Sequence, residues 1–179
     1  MIAYLENAQK ELDEIAFSEE RTEALHGERR ELVRKIKALA VTLSEVRRQS
    51  GELFTKQVEE ELAYLDMPHV HFLVRHEQVK PGPNGADEIE FLISANPGEP
   101  PRPLAKIASG GELSRIMLAI KTVLADSDDI PTLIFDEIDT GISGRTAQKV
   151  SEKLSYIAKS HQVICITHLP QIAAMADTH

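Results

Sequence analysis

The chain has 179 residues, a formal net charge of −9, 42% hydrophobic residues and 4% aromatic residues. This length suits one ordinary domain, or a smaller domain with an extension, and the negative charge argues against a protein that coats nucleic acid along its whole length. One cysteine excludes an internal disulfide, and neither a signal peptide nor an apolar run of the ~18 residues that span a bilayer is evident. We therefore expect a soluble intracellular protein.

Residues 1–66 predict a long helical segment. They contain no proline, and their apolar residues recur at helical spacing in two series that are out of phase with each other. We expect two helices, or one helix with a break near Gly27, that form part of a coiled coil and need a partner helix. The first series is Leu5, Ala8, Leu12 and Ile15, and the second is Leu25, Leu32, Ile36, Leu39, Leu43, Val46 and Leu53.

Basic residues cluster in the second half of this helical segment. They can contact DNA phosphates, or they can form the solvated face of a coiled coil, which is the interpretation we favour. The cluster consists of Arg29, Arg30, Arg34, Lys35, Lys37, Arg47 and Arg48.

A hairpin is predicted after the helical segment, which ends at Met67-Pro68. Residues 69–74 and 88–93 each predict a strand, and the turn cluster at 81–85 separates them. We expect the two strands to pair across that turn. Residues 96–101, with the sequence NPGEPP, predict a rigid connector to the segment that follows.

Residues 107–115, with the sequence IASGGELSR, predict the start of a helix. Ser109 is a candidate N-cap, and Glu112 lies three positions on, where a capping-box partner belongs. Gly110 and Gly111 lack side chains, so an anionic group could approach the unpaired N–H groups of the first turn. A plain helix cap and a turn of the chain explain the same residues equally well.

Strands and helices alternate beyond this helix. Thr132–Phe135 and Gln162–Thr167 are short apolar runs typical of buried parallel strands. Ser143 is a candidate cap for the helix between them, and Pro170 suits the first turn of a last helix. The alternation predicts an α/β fold, with a parallel sheet flanked by helices.

Polar residues follow both predicted strands, at the carboxyl ends where ligands bind in such sheets. Asp136 and Glu137 follow the first strand, and His168 follows the second. Asp136 can hold Mg²⁺, often through water, and Glu137 can polarise an attacking water as a general base. Helix capping or turn formation is the alternative role for the two carboxylates. Beside them, His168 is a credible sensor of a terminal phosphate.

Four segments, in this order, resemble the motifs of the ABC-type ATPase heads. Ser109–Arg115 resembles the ABC signature, and Thr132–Glu137 resembles the Walker B strand. Ile138–Gly144 resembles the D-loop, and Thr167-His168 resembles the switch-histidine loop. Their shared order and spacing make the resemblance specific, whereas any one of them alone would be weak.

The long helical segment ahead of these motifs resembles the SMC-like branch of these ATPases, whose heads are split by a coiled coil. Within that branch, Gly85–Phe91, Asn96–Pro100 and the run KIASGGELSRIMLAIK resemble the bacterial members that repair DNA double-strand breaks. The resemblance implies coiled-coil helices over residues 1–66 and the C-terminal lobe of an ABC-type head over residues 67–179.

The sequence departs from that family in two respects: no Gly-x-x-x-x-Gly-Lys-[Ser/Thr] phosphate loop occurs in it, and it stops at residues 176–179, where the family continues. In the family this loop lies in an N-terminal lobe, before the coiled coil. We therefore expect the chain to be a fragment truncated at both ends and inactive as an ATPase by itself.

The resemblance also implies a mechanism, in which two heads sandwich two ATP molecules with Mg²⁺. Each site takes Asp136, Glu137 and His168 from one head, and Ser109–Glu112 from the opposing head. Asp139, in the D-loop, would couple the two sites. The implied partners are double-stranded DNA ends, a second copy of the full-length protein and the missing N-terminal lobe, with no membrane. The implied location is the cytoplasm, in association with the nucleoid.

Three alternatives compete with this interpretation. A non-enzymatic coiled-coil interaction module with a vestigial head would be expected to lose Asp136, Glu137 or His168, and all three are present. Another SMC-like DNA-repair ATPase would carry the same motifs, but Gly85–Pro100 disfavours it. An ABC transporter subunit is disfavoured by the coiled coil that precedes the signature.

Overall fold

A computed structural model describes residues 2–96, 98–106 and 110–179, apart from the side chains of residues 2–8 and 11–15. The helices are α1 (Ile2–Tyr64), α2 (Gly110–Leu124), α3 (Gly144–Ile157) and α4 (Pro170–Ala173). The strands are β1 (His71–Gly82), β2 (Gly85–Ser94), β3 (Arg102–Pro103), β4 (Thr132–Phe135) and β5 (Gln162–Cys165). A short 3₁₀ turn at Leu104–Lys106 follows β3.

Helix α1 has 63 residues and passes through Gly27 without interruption, so the expected break near that residue is wrong. A glycine inside a helix costs only about 1 kcal/mol relative to alanine, which is too little to break so long a helix. Within the part of the chain that the structure describes, no helix is both long and apolar enough to cross a membrane.

Strands β1, β2 and β3 form one sheet in that order, and β2 pairs antiparallel with β3. The expected hairpin is present as β1 and β2, but both strands are longer than predicted, and the turn is limited to Pro83-Asn84. Pro81 is tolerated within β1 because an edge strand has no partner on one side. Strand β3 was not predicted, because two residues that include Pro103 give no strand pattern.

Strands β4 and β5 form a parallel pair, with Thr132 opposite Gln162 and Phe135 opposite Cys165. This confirms the predicted parallel sheet, although β5 ends two residues earlier than expected. Helix α2 packs against α3, and α3 packs against α4. The buried core includes Val58, Leu62, Phe72, Ile93, Ile116, Leu118, Leu133, Phe135, Ile138, Val150, Leu154 and Ile157.

Two compact units divide the chain. The first unit contains Met1–Val46 and Gln78–Asp87, and the second contains Arg47–Glu77 and Glu88–His179. Within the first unit, the Ser44 hydroxyl lies 2.7 Å from a carboxylate oxygen of Asp87, to which it can donate. Among the described side chains of α1 in this unit, the exposed large apolar residues are Phe17, Leu25, Leu32, Val33, Ile36, Leu39, Val41, Leu43 and Val46. The predicted division of the chain at residue 66 stays a prediction.

In the second unit, a residue just beyond the end of α1 is hydrogen-bonded to helix α3. Asp66 follows α1 in the left-handed region, with φ of 60°. Its carboxylate accepts hydrogen bonds from Lys149 Nζ at 2.6 Å and from Thr146 Oγ1 at 2.7 Å. Both hydrogen bonds hold the pKa of Asp66 below its ordinary value, and the one from Lys149 has the larger effect. Both partners lie in the first two turns of α3.

Candidate active site

The carboxyl ends of β4 and β5 lie side by side because the two strands are parallel and in register. The backbone N–H of Ile166 donates to the carbonyl of Phe135 at 2.9 Å, which extends the pairing just beyond β5. Asp136 and Glu137 therefore leave β4 at the same edge of the sheet at which Thr167-His168 leaves β5. The parallel pairing thus produces the predicted juxtaposition.

Asp136 is exposed, and its backbone is fixed by α2. Its carbonyl accepts a hydrogen bond from Ser114 Oγ at 2.6 Å, and its Oδ1 accepts one from the backbone N–H of Glu137 at 2.8 Å. The carboxylate is thus oriented by its neighbour at the mouth of the strand.

Asp139 is buried, with only 3% of its surface exposed, and it contacts the loop after β5. Its Oδ2 accepts hydrogen bonds from Thr167 Oγ1 at 2.5 Å and from the backbone N–H of His168 at 2.8 Å. The ring nitrogen Nδ1 of His168 lies 3.1 Å from the same oxygen. Burial raises the pKa of Asp139, but the bonds from Thr167 and His168 outweigh it, so the pKa lies below its ordinary value.

Glu137 has a left-handed backbone, with φ of 56°, and its side chain packs on the first residue of α2. A methyl group on the Cα of Gly110 would overlap Oε2 of Glu137 and lie 3.1 Å from its Cδ. A carboxylate at this place is favoured by the positive end of the helix dipole. A side chain at position 110 would therefore require the Glu137 carboxylate to move.

Gly111 packs against the backbone that follows Glu137. A methyl group on its Cα would lie 3.0 Å from the carbonyl oxygens of Glu137 and Thr140 and from the Thr140 Cβ. Because two of these three atoms belong to the backbone, a side chain here would displace the segment itself.

We expect Gly111→Ala to destabilise the chain by about 1–2 kcal/mol, because overpacking against the Glu137–Thr140 backbone exceeds the gain in helix propensity. Gly27→Ala is the matched control: apart from neighbouring residues and the nearby backbone of α1 itself, no atom of the described residues lies within 4 Å of the added methyl group, so it should stabilise α1 by about 0.5–1 kcal/mol. Urea unfolding of both variants measures these opposite signs. Equal gains in stability would show that Gly111 has room for a side chain.

Arg115 is a buried cation that the sequence patterns did not single out. It is 8% exposed, and its Nη1 donates to the carbonyls of Thr140 at 2.9 Å and of Ile138 at 3.2 Å. Burial lowers its pKa below the ordinary value, against an opposing effect of Glu112. The sequence did contain a signal for its burial, because the apolar Leu118 and Ala119 follow three and four positions on and therefore share a face of α2 with Arg115. Both are buried in the structure.

Cys165 is the residue of β5 closest in sequence to this edge, and it is half-buried. Burial raises the pKa of its thiol to about 11, and the negative charges of Asp139 and Asp136 contribute to the rise. The thiol is therefore neutral near pH 7 and adds no charge to the site.

The structure brings four of the predicted site residues to one edge of the sheet: Asp136, Glu137, Asp139 and His168. Gly110 and Gly111 lie against the Glu137–Thr140 segment of the same chain. Ser109 lies outside the described residues, so its predicted role as an N-cap and in a neighbouring site stays a prediction. The role of Glu112, which lies half-buried in the first turn of α2, also stays a prediction.

Solved structures with a similar fold are SMC head domains. One of them is the Smc head domain with an extended coiled coil from Pyrococcus furiosus, bound to the C-terminal domain of ScpA. It matches with a TM-score of 0.59 and 21% identity, over 87% of this chain and 38% of that chain. The Smc head with a coiled coil and joint from Pyrococcus yayanosii also gives a TM-score of 0.59 and 21% identity, over 87% of this chain and 29% of that one. The chain thus has the fold of part of an SMC head domain.

The curated relatives of the chain are RecN proteins. The chain is 41% identical over 184 residues to the DNA repair protein RecN of Halalkalibacterium halodurans, and 47% identical over 186 residues to that of Treponema pallidum. Over its whole length the chain is therefore similar to one part of the RecN proteins. These alignments cover 100% of the chain but only 33% and 32% of the two relatives, so the chain spans about a third of their length. No protein-family model matches the chain.

Proposed function

We propose that this chain is the C-terminal lobe of the ATPase head of an SMC-like protein that acts in recombinational repair of DNA double-strand breaks. The observation that carries the proposal is the gathering of Asp136, Glu137, Asp139 and His168 where β4 and β5 end. The RecN relatives support it, because DNA repair is what their name states. The protein would act in the cytoplasm, on the nucleoid.

Each residue has one role in this proposal. Glu137 would accept a proton from the attacking water, and His168 would contact the terminal phosphate. Ser109, Gly110, Gly111 and Glu112 would complete the site of a second copy of the protein, and Asp139 would couple the two sites. ATP held between two heads would join them, and its hydrolysis would release them and the DNA that they hold.

Asp136 is the residue that would hold Mg²⁺. Its exposed carboxylate suits a hard cation, which prefers oxygen ligands. Among the described residues, no three His, Cys, Asp or Glu side chains gather closely enough to hold a metal by themselves. Magnesium usually keeps several waters and takes one or two carboxylates together with phosphate oxygens, so a single Asp136 fits an ion that is bound together with the nucleotide.

The partner of the β4–β5 sheet would be the N-terminal lobe, which would bring the phosphate loop. Leu133 and Phe135 are buried on one face of the sheet. On the other face, Ile134 pairs in register with Ile164, and both are exposed, as is Ile166 just beyond β5. Parallel sheets are normally covered on both faces, so this apolar face supports a missing layer of the same head.

Reconstitution of the head tests the proposal. We expect the N-terminal part of the full-length protein, added to this chain, to produce ATP hydrolysis that DNA stimulates. The chain alone should not turn over ATP, because it has no phosphate loop. Steady turnover by the purified chain, or no turnover by the reconstituted head, would refute the proposal.

Ile164→Asp should weaken the binding of the N-terminal part about 10- to 100-fold, because burial of such a side chain contributes about 1.5–3 kcal/mol. Ile89→Asp is the matched control, since Ile89 is also exposed but lies in β2, outside the β4–β5 sheet. Calorimetric titration of the two lobes measures both affinities. A similar loss for both variants would place the contact elsewhere.

Helix α1 would be one strand of the coiled-coil arm. In the first unit, Leu25, Leu32, Leu39 and Val46 recur every seven residues and are all exposed. A seven-residue apolar repeat is what a partner helix packs against in a coiled coil. The arm would carry the movement of the head to the DNA.

A further inference from the structure

Asp139 contacts the loop that carries His168 within its own chain. Coupling between two heads would not require this contact. We infer that Asp139 is a positioning residue, which holds the His168 ring in one tautomer and orientation for contact with a phosphate. The inference rests on the proposed function for the identity of the ligand, but its geometry belongs to this chain alone.

The first support is that one buried oxygen fixes the whole loop. Oδ2 of Asp139 accepts from the Thr167 hydroxyl and from the backbone N–H of His168. The Thr167 hydroxyl in turn accepts from the backbone N–H of Leu169 at 3.1 Å. Three consecutive residues are thereby anchored to one side chain that is itself packed in the core.

The second support is the contact with the ring. Nδ1 of His168 lies 3.1 Å from Oδ2 of Asp139. A carboxylate only accepts hydrogen bonds, so its negative charge at this distance favours the tautomer that carries the hydrogen on Nδ1. The ring nitrogen on the opposite side, Nε2, belongs to a side chain that is 73% exposed. Asp139 thus leaves Nε2 as the nitrogen that a ligand can reach.

The third support is the exposure difference between the two partners. The Asp139 side chain is 4% exposed and cannot reorient without breaking its bonds to the loop, whereas His168 is held at only one end. A buried carboxylate that fixes a histidine tautomer is a common way to orient a functional imidazole. The buried partner therefore sets the position of the exposed one.

The tautomer is measured by long-range proton–nitrogen NMR of the full-length protein labelled with ¹⁵N-histidine, without nucleotide, and assigned with His168→Ala. We expect the neutral His168 ring to carry its hydrogen on Nδ1 in the wild-type protein. Asp139→Asn should shift the population toward the Nε2–H form. A wild-type ring with its hydrogen on Nε2 would overturn the inference, even if the variant does not fold.

Kinetics give a second test through a double-mutant cycle. Asp139→Asn should lower kcat for ATP about 10- to 100-fold, by analogy with the loss found when a partner that orients a metal-bound histidine is removed, with KM nearly unchanged. In a His168→Ala background the same change should have little further effect, because the two residues act as one unit. An equal loss in both backgrounds would contradict the inference.

Asp128→Asn is the matched control, because it also removes a largely buried carboxylate, which pairs with Lys121 remote from the site in sequence. We expect it to change neither the His168 tautomer nor kcat. The tautomer is measured without ATP, so the two proposals can fail separately. An Nδ1–H ring in a protein that does not hydrolyse ATP would refute the proposed function, while the positioning of His168 by Asp139 would still hold.

Discussion

Replacement of Glu137 by glutamine in the full-length protein is expected to lower ATP turnover by about 10²–10⁴-fold, the usual contribution of a general base. The side chain keeps its length, so its packing on Gly110 is retained, while its ability to accept a proton is lost. Because binding of ATP does not need that proton transfer, the variant should accumulate dimers joined through their heads. Turnover and ATP-dependent dimer formation, measured by size-exclusion chromatography with light scattering, check the two expectations.

Glu88→Gln provides the matched control for that experiment. Glu88 is an exposed glutamate of β2, so its replacement makes the same chemical change away from the end of β4. It should leave both turnover and dimer formation as in the wild-type protein. Unchanged turnover in Glu137→Gln would rule out Glu137 as the base.

Replacement of Arg115 by alanine is expected to destabilise the chain by about 2–4 kcal/mol. The change removes a buried side chain and leaves the carbonyls of Ile138 and Thr140 without their donor. An orphaned buried acceptor costs about 1–3 kcal/mol, and the cavity adds to that. The Ile138–Gly144 segment should loosen as well, so hydrogen exchange at its amides should rise.

Arg115→Lys separates charge from shape. Lysine keeps the positive charge, but its compact ammonium lacks the planar fork of donors that guanidinium offers, so we expect an intermediate loss of stability. Arg102→Ala, at an exposed position of β3, should change stability by no more than about 0.5 kcal/mol. Urea unfolding followed by circular dichroism gives all three values, and an equal effect of Arg115→Ala and Arg102→Ala would show that the two carbonyl contacts contribute nothing.

The sequence was sufficient to predict the parallel sheet, because its strands are uninterrupted apolar runs with polar residues directly after them. Strand β4 has the predicted limits of Thr132 and Phe135, and α2 begins within the predicted segment. Hydrophobic runs of this kind depend on local residue types, which sequence patterns report directly. The placement of Asp136 and His168 at one edge then followed from the sheet alone.

The contacts around Glu137 could not be predicted in the same way. Glutamate rarely adopts a positive φ, so its left-handed backbone depends on the surrounding packing and has no mark in the sequence. The close approach of Gly110 to this side chain depends on the same packing. A pair of glycines therefore suggested an anion site, while the structure also gives Gly111 a steric role within the chain.

Arg115 shows a second reason why sequence patterns fell short. Leu113, Ile116, Met117, Ile120 and Leu124 recur at helical spacing in α2, yet the buried residues of this helix also include Arg115, Leu118 and Thr122. A helix that packs on several neighbours buries more than one stripe, and a charged residue can lie in the wider face when carbonyls accept its hydrogens. Periodicity alone treats such a residue as exposed.

The hydrogen bonds that Asp66 accepts from Thr146 and Lys149 connect the end of α1 to α3 and can transmit force between them. Asp66 lies just beyond the end of α1, and Thr146 and Lys149 lie in the first turns of α3. Helix α3 begins at Gly144, which is also the last residue of the D-loop-like segment. A tensile load applied along α1 would therefore be borne in part by α3, a few residues from Asp139. Part of the tension would thus pass to α3 through these side chains, in addition to the part that the backbone passes on to β1.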